Sequence, residues 1–299
     1  MNKVEQAEKM SNAPGFVAAL DQSGGSTPKA LRLYGVYEIQ YANDAEMYNL
    51  IHGMRCRIIQ SAAFSGDYIL GAILFENTMD REVSGYPVAD FLWQRRQIVP
   101  FLKVDKGLTD ENQGVQLMKP LPELEVVLKR AQAANIFGTK MRSVINHANL
   151  AGITDIVGQQ FDIANQILSH DLVPIIEPEV NISAFDKAEA EQILLESLKL
   201  HLNNFKAENK VILKLTLPEK PNHYASLCSH PNVMRVVALS GGYSRQEANS
   251  RLSENNAMVA SFSRALSEGL NISQSDTDFD ETLARAVNEI FTASVSGSS

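Results

Sequence analysis

The chain has 299 residues, 44% of them hydrophobic and 21% charged, ordinary globular values that supply a core. Its net charge of −8 argues against non-specific nucleic-acid binding, which needs a basic surface, yet leaves room for phosphorylated ligands that need only a few local cations. Two cysteines, Cys56 and Cys228, are too few for a disulfide framework, the first ten residues are polar, and no apolar run approaches the ~18 residues of a membrane span. A cytoplasmic location with no membrane or nucleic-acid partner is therefore expected.

In chain order, apolar runs at 16–21, 68–76, 98–104, 135–142, 172–177, 211–215, 233–239 and 257–262 predict strands. They are brief, mostly continuous in hydrophobicity and often close on a polar residue, as buried parallel strands do. Between them Met47, Leu50, Ile51, Met54 and Ile58 follow the spacing of one helical face. Leu124, Val127, Leu128 and Ala131 repeat it, as do Leu194, Leu198, Leu202 and Phe205 in a helix beginning near Asp186. Another helix is predicted at 244–254, and Leu283, Ala286, Val287, Ile290 and Phe291 line a last one. Strands alternating with helices predict a single-domain (β/α)8 TIM barrel spanning 1–299, a fold of the α/β class. The runner-up is an open doubly wound sheet, but Asp21-Gln-Ser-Gly-Gly-Ser26 lacks the spacing of a dinucleotide fingerprint.

A barrel of this kind builds its active site at the C-terminal strand ends. The run Val211-Ile-Leu-Lys-Leu-Thr-Leu-Pro218 sets Lys214 among apolar residues. In a dry site desolvation disfavours an ammonium, and a neutral amine forms Schiff bases with carbonyls. Alone, such a lysine is far more often found on the polar face of a half-exposed strand, since buried unpaired lysines are rare. Other strand ends carry Asp21, Ser23 and Ser26; Lys103; Lys140 and Arg142; Glu177 and Glu179; Ser240, Gly241 and Gly242; and Ser261 and Arg264. Ser240-Gly-Gly242 precedes a helix whose N-terminus suits an anion, and Arg264 adds a fork matched to phosphate oxygens. Lys103, Ser23 and Ser26 offer a second phosphate contact, so the set suits a bisphosphorylated keto sugar.

These segments, Val-Ala-Ala-Leu-Asp21-Gln-Ser-Gly-Gly-Ser26, Lys103-Val-Asp-Lys-Gly107, Lys140-Met-Arg142, Glu177-Pro-Glu179, Leu-Lys214, Ser240-Gly-Gly242 and Ser261-Phe-Ser-Arg264, resemble class I fructose-1,6-bisphosphate aldolase in family order over 16–270. The shorter chain and its Asp-Gln-Ser-Gly-Gly-Ser turn look like the bacterial branch. The resemblance implies a glycolytic and gluconeogenic lyase in which Lys214 forms the iminium with the ketose and Glu177 dehydrates the carbinolamine. It implies that Asp21 handles the C4 hydroxyl proton, with Lys140 as its charged neighbour and Arg142 and Glu179 hydrogen-bonding behind them. Ser240, Gly241 and Arg264 match the C1-phosphate site and Ser23, Ser26 and Lys103 the C6-phosphate side, with Gly242 and Ser261 among the substrate contacts. The implied substrate is a phosphorylated sugar, no metal and no cofactor are needed, and a homo-oligomer is left open.

Three positions depart from the family pattern. Gln22 stands where many relatives have Glu, Ala30 replaces an arginine beside Lys29, and the chain lacks the C-terminal tyrosine of the animal enzymes, having no Tyr after Tyr243. Two other readings compete. A transaldolase would share the Schiff-base lysine but need only one phosphate clamp. An idle barrel kept for metabolite binding would need no set of proton-transfer groups.

Overall fold

Parallel strands buried on both faces need helices on one side and a filled lumen on the other. In the computed structural model, which describes residues 3–296, the strands are β1 (Phe16–Leu20), β2 (Ile69–Leu74), β3 (Val99–Lys103), β4 (Gly138–Ile145), β5 (Val173–Val180), β6 (Val211–Thr216), β7 (Val233–Leu239) and β8 (Met258–Phe262). Each pairs in parallel with the next. β8 returns to β1, with Val17 opposite Ser261 and Ala18 opposite Phe262, so the sheet closes as a TIM barrel and the open-sheet alternative is excluded. A two-residue strand, Val115–Gln116, pairs antiparallel with the end of β4.

The long helices are α1 (Lys3–Asn12), α2 (Ser26–Leu33), α3 (Asp44–Gln60), α4 (Leu124–Ala133), α5 (Leu150–Leu168), α6 (Lys187–Asn203), α7 (Arg245–Ser253) and α8 (Asp276–Ser296). Residues singled out by spacing on α3, α4, α6 and α8 are mostly buried, although Phe205 falls beyond the end of α6. Neither α1 nor α5 was identified individually from the sequence. α5 nonetheless carries a buried stripe of Ile153, Ile156, Val157, Phe161, Ala164 and Ile167, and Asn149 caps it by accepting the Gly152 N–H at 3.0 Å. α1 closes the N-terminal end of the barrel: Met10 is fully buried, and Arg235 donates to the Met10 and Ala13 carbonyls at 2.9 and 2.8 Å.

β4 extends past its predicted end to Ile145 and β5 to Val180. Glu179, expected after its strand, therefore lies within it, and Arg142, expected as the last residue of its strand, lies inside it. Inside β5, Pro178 cannot donate to a ladder. It is tolerated because the β5–β6 register has already ended, at Ile176 opposite Leu213.

The period of two along each strand sorts the lumen into layers. Val17, Ala19, Val99, Phe101, Ile175, Ile212, Val237 and Val259 form an apolar plug in the lower barrel. The Phe101 ring fits because Gly71 and Gly138 flank it; a Cβ at either would come within 2.9 Å of that ring. One step of two beyond Ala19, Phe101, Ile175, Ile212 and Val259 stand Asp21, Lys103, Glu177, Lys214 and Ser261. The same alternation that fills the barrel therefore delivers polar groups to its C-terminal mouth.

Candidate active site

At that mouth lies a cavity of about 550 Å³. Of the predicted site residues, all but Gly242 line it; Gly242 sits beside Arg264, where a Cβ would be 3.6 Å from the guanidinium. At its floor is a buried charge cluster. Lys140 Nζ stands between two carboxylates, 2.9 Å from Asp21 Oδ2 and 2.5 Å from Glu177 Oε2. Glu177 Oε1 faces Lys214 Nζ at 3.0 Å. Lys140, Lys214 and Glu177 are each 3% exposed and Asp21 is 8% exposed, so these charges interact with little screening by water.

Burial alone would raise the Asp21 carboxyl, but Lys140 and then Lys214 outweigh it and hold Asp21 well below the usual carboxylate range. Glu177 follows the same balance: burial raises it, Lys140 and Lys214 bring it below its ordinary value, and Asp21 opposes them. Burial would strip Lys140 of its proton, yet Asp21, Glu177 and Asp105 together keep it more strongly protonated than a free lysine. The resting floor thus holds a fixed ammonium between two ionised carboxylates.

A second layer surrounds this floor. Arg142 Nε pairs with Glu179 Oε2 at 2.5 Å, and that partner holds the Arg142 guanidinium above its usual range against the effect of burial. Lys103 Nζ bonds to Asp105 twice, at 2.5 Å to Oδ1 and 2.8 Å to the carbonyl. Asp105 was not singled out from the sequence, although it lies two residues past Lys103, inside the same short segment. Among the described residues, Ser261 Oγ and Asp105 Oδ2 are buried at this site with no hydrogen-bond partner. Buried polar atoms left in this state are suited to a ligand's polar groups.

Ser240-Gly-Gly242 makes a tight turn ahead of α7. Gly241 and Gly242 have φ of +60° and +133°, and the Gly242 and Tyr243 N–H groups fold back onto the Ser240 carbonyl at 2.7 and 3.0 Å. Those two donors are used inside the turn, and α7 begins only after Ser244, which caps it. Ser240, Gly241 and Arg264 still line the cavity. Opposite them, Ser26 Oγ accepts the Ser23 N–H and donates to the Ser23 carbonyl, both at 2.9 Å, closing the turn that opens α2.

Gln22 joins the two sides. Its amide donates to Ser263 Oγ at 2.8 Å and accepts from Arg55 at 3.2 Å. Arg55 is fully buried and also donates to the Gln22 carbonyl at 2.5 Å and to Thr78 Oγ1 at 2.7 Å. Burial pushes its guanidinium down to about 10, with Asp21 opposing the fall. Neither Arg55 nor the Gln22–Ser263 bridge was identified from the sequence, because an arginine in a helical pattern reads as a solvated residue.

The chain is 56% identical over 290 residues to fructose-bisphosphate aldolase class 1 of Clostridium acetobutylicum, covering 97% of this chain and 98% of that protein. This chain belongs to the class 1 fructose-bisphosphate aldolase family. The aldolase of the same name from Synechocystis is also 56% identical, over 97% of each chain. No protein-family model matches the chain. In fold it is similar to fructose-bisphosphate aldolase from Plasmodium falciparum, with TM-score 0.78, 20% identity and coverage of 99% and 95% of the two chains. A Corynebacterium glutamicum structure is more distant, at TM-score 0.53 and 12% identity over 98% and 93%.

Proposed function

We propose that this aldolase reversibly cleaves fructose 1,6-bisphosphate to dihydroxyacetone phosphate and glyceraldehyde 3-phosphate through a Schiff base on Lys214. The observation that carries the reading is the pairing of a buried amine with a buried carboxylate, Lys214 Nζ to Glu177 Oε1 at 3.0 Å, on the floor of an open polar cavity. A structural ion pair has no need of such an opening.

The geometry supports the following sequence of steps. Glu177 accepts a proton from Lys214, leaving a free amine that attacks the C2 carbonyl of the ketose to give a carbinolamine. That adduct no longer carries the Lys214 ammonium, so one of the two cations holding the Glu177 carboxyl down is removed. Glu177 then gives its proton to the departing hydroxyl, water leaves, and the iminium forms. Asp21 takes the C4 hydroxyl proton, the C3–C4 bond breaks, and its electron pair moves into the iminium to form an enamine and release the aldehyde. Protonation at C3 and hydrolysis return Lys214 and the second product.

The iminium supplies the sink for electrons that a neutral ketone would hold poorly. Proton transfer by Glu177 and Asp21 contributes roughly 10²–10⁴-fold each. Lys140 stays charged throughout and keeps both carboxylates in place. Arg264 with Ser240 and Gly241 on one side, and Lys103 with Ser23 and Ser26 on the other, orient the two phosphates so that C3 and C4 lie over the floor.

Residues 1–299 form one domain in this proposal, acting in the cytoplasm on a phosphorylated sugar. Among the described residues no helix is long and apolar enough to cross a membrane. A coupled assay that reports dihydroxyacetone phosphate released from fructose 1,6-bisphosphate tests the reading. A folded protein without turnover, or one that only transfers a dihydroxyacetone unit from a monophosphate, overturns it.

A further inference from the structure

The stripe that α5 turns towards the barrel is apolar except at Gln160, which is fully buried among Ile156, Val157, Phe161 and Ala164. A hydrocarbon would fill that place without the cost of burying an amide. Both ends of the amide are engaged. Oε1 accepts the backbone N–H of Glu177 at 2.9 Å, and Nε2 donates to Ser143 Oγ at 3.1 Å, itself fully buried. The neighbouring Gln159 serves a different end, pairing its amide with the Met118 backbone at 2.9 and 3.0 Å.

The two edges of β5 differ at Glu177. Backbone N–H groups alternate in direction along a strand; that of Asn181 reaches the Ile145 carbonyl beside β4 at 2.8 Å, and that of Val180 reaches Thr216 Oγ1 on β6 at 2.9 Å. Pro178 falls in the series facing β6 and has no N–H to give. The β5–β6 register ends at Ile176 opposite Leu213, one residue short of both Glu177 and Lys214. On the side where Lys214 stands, the seam is therefore open at the reacting pair. On the β4 side the register runs unbroken through Arg142 opposite Glu177, and Gln160 adds a hydrogen bond to the Glu177 N–H from outside the barrel.

We propose that Gln160, anchored by Ser143, is a positioning residue for Glu177: it fixes the backbone that carries the carboxylate, so that the carboxylate keeps its place between Lys140 and Lys214 while the seam beside it stays open. This inference rests on the proton-transfer role given to Glu177 above. Gln160 touches no reacting atom, and its effect is exerted through Glu177 alone.

The test compares wild type, Gln160→Leu and Ser143→Ala in cleavage of fructose 1,6-bisphosphate across pH, in the rate at which borohydride with dihydroxyacetone phosphate inactivates the protein, and in thermal unfolding. Gln160→Leu is expected to lower kcat roughly 10- to 100-fold with KM within about threefold, and to slow borohydride trapping, because carbinolamine dehydration needs the carboxylate in place. The acid limb of its kcat profile moves to higher pH, since a carboxylate that drifts from the two lysines loses the charges holding it down. Ser143→Ala shows the same pattern at smaller size.

A folded Gln160→Leu with lower Tm but unchanged kcat, acid limb and trapping rate overturns the proposal and leaves Gln160 a packing residue. If Gln160→Leu does not fold, folded Ser143→Ala decides, and an unchanged kcat and acid limb there overturn it equally. Wild type without turnover sinks the aldolase reading and this inference with it, whereas active wild type with unaffected variants sinks the inference alone.

Discussion

Lys140 is bound to Asp21 at 2.9 Å although 119 residues separate them along the chain. The same ammonium contacts Glu177 at 2.5 Å, so one cation ties the two carboxylates to which proton transfer is assigned. Removing a partner from such a buried group leaves an uncompensated charge, a loss of about 3–5 kcal/mol.

Lys140→Met is accordingly expected to destabilise the fold by an amount in that range at pH 7, with a distinct pH dependence. In the wild type Asp21 and Glu177 titrate below their unfolded values, so their contribution is complete above about pH 4 and is lost as pH falls through the lower folded values. Lys140 titrates above its unfolded value, so its contribution is present below about pH 10 and is lost only as pH rises through the higher folded value. In Lys140→Met burial dominates, both carboxyls titrate higher, and the variant recovers stability relative to wild type as pH falls. Thermal unfolding at pH 7 and pH 5 measures this; a Tm gap that stays constant or widens towards pH 5 contradicts it.

Lys214→Met keeps most of the side-chain volume and leaves Glu177 paired with Lys140, so the protein should fold while cleavage drops by roughly 10³-fold or more. In wild type, borohydride with dihydroxyacetone phosphate should place a stable adduct on the peptide containing Lys214. An adduct on Lys140, Lys103 or Lys106, or near-normal turnover of Lys214→Met, reverses the assignment.

Cleavage should survive EDTA, because the electron sink is an iminium on the chain's own lysine. The check is the coupled assay before and after chelation. Loss of activity that zinc restores would place the chemistry on a metal.

Removal of the residues after Ser294 should cost less than about tenfold in kcat, or ~1.4 kcal/mol of barrier. Ser294 is buried, accepts the Ala260 N–H at 3.0 Å and donates to the Ile290 carbonyl at 2.8 Å, so the truncation leaves the seat of α8 on β8 intact. Of the residues removed, 297–299 lie outside those described. A hundredfold loss in a folded truncate would assign this tail a catalytic part.

What the sequence determined by itself was local and periodic. Apolar runs marked all eight barrel strands, and a spacing of two along them carried Ala19 to Asp21 and Ile212 to Lys214, apolar plug below and chemistry above. Phe101 to Lys103 follows the same rule. The tertiary structure decided what depends on distant parts of the chain meeting. Closure of β8 on β1, Lys140 standing between Asp21 and Glu177, and the Gly242 N–H turned onto Ser240 cannot be read from any one segment. Arg55 and Gln160 are the clearest cases, since both occupy helical patterns where a polar side chain ordinarily meets water. Their burial was set by which face of α3 and α5 the closed barrel covers, and the tilt and stagger that fix this belong to the whole ring of strands.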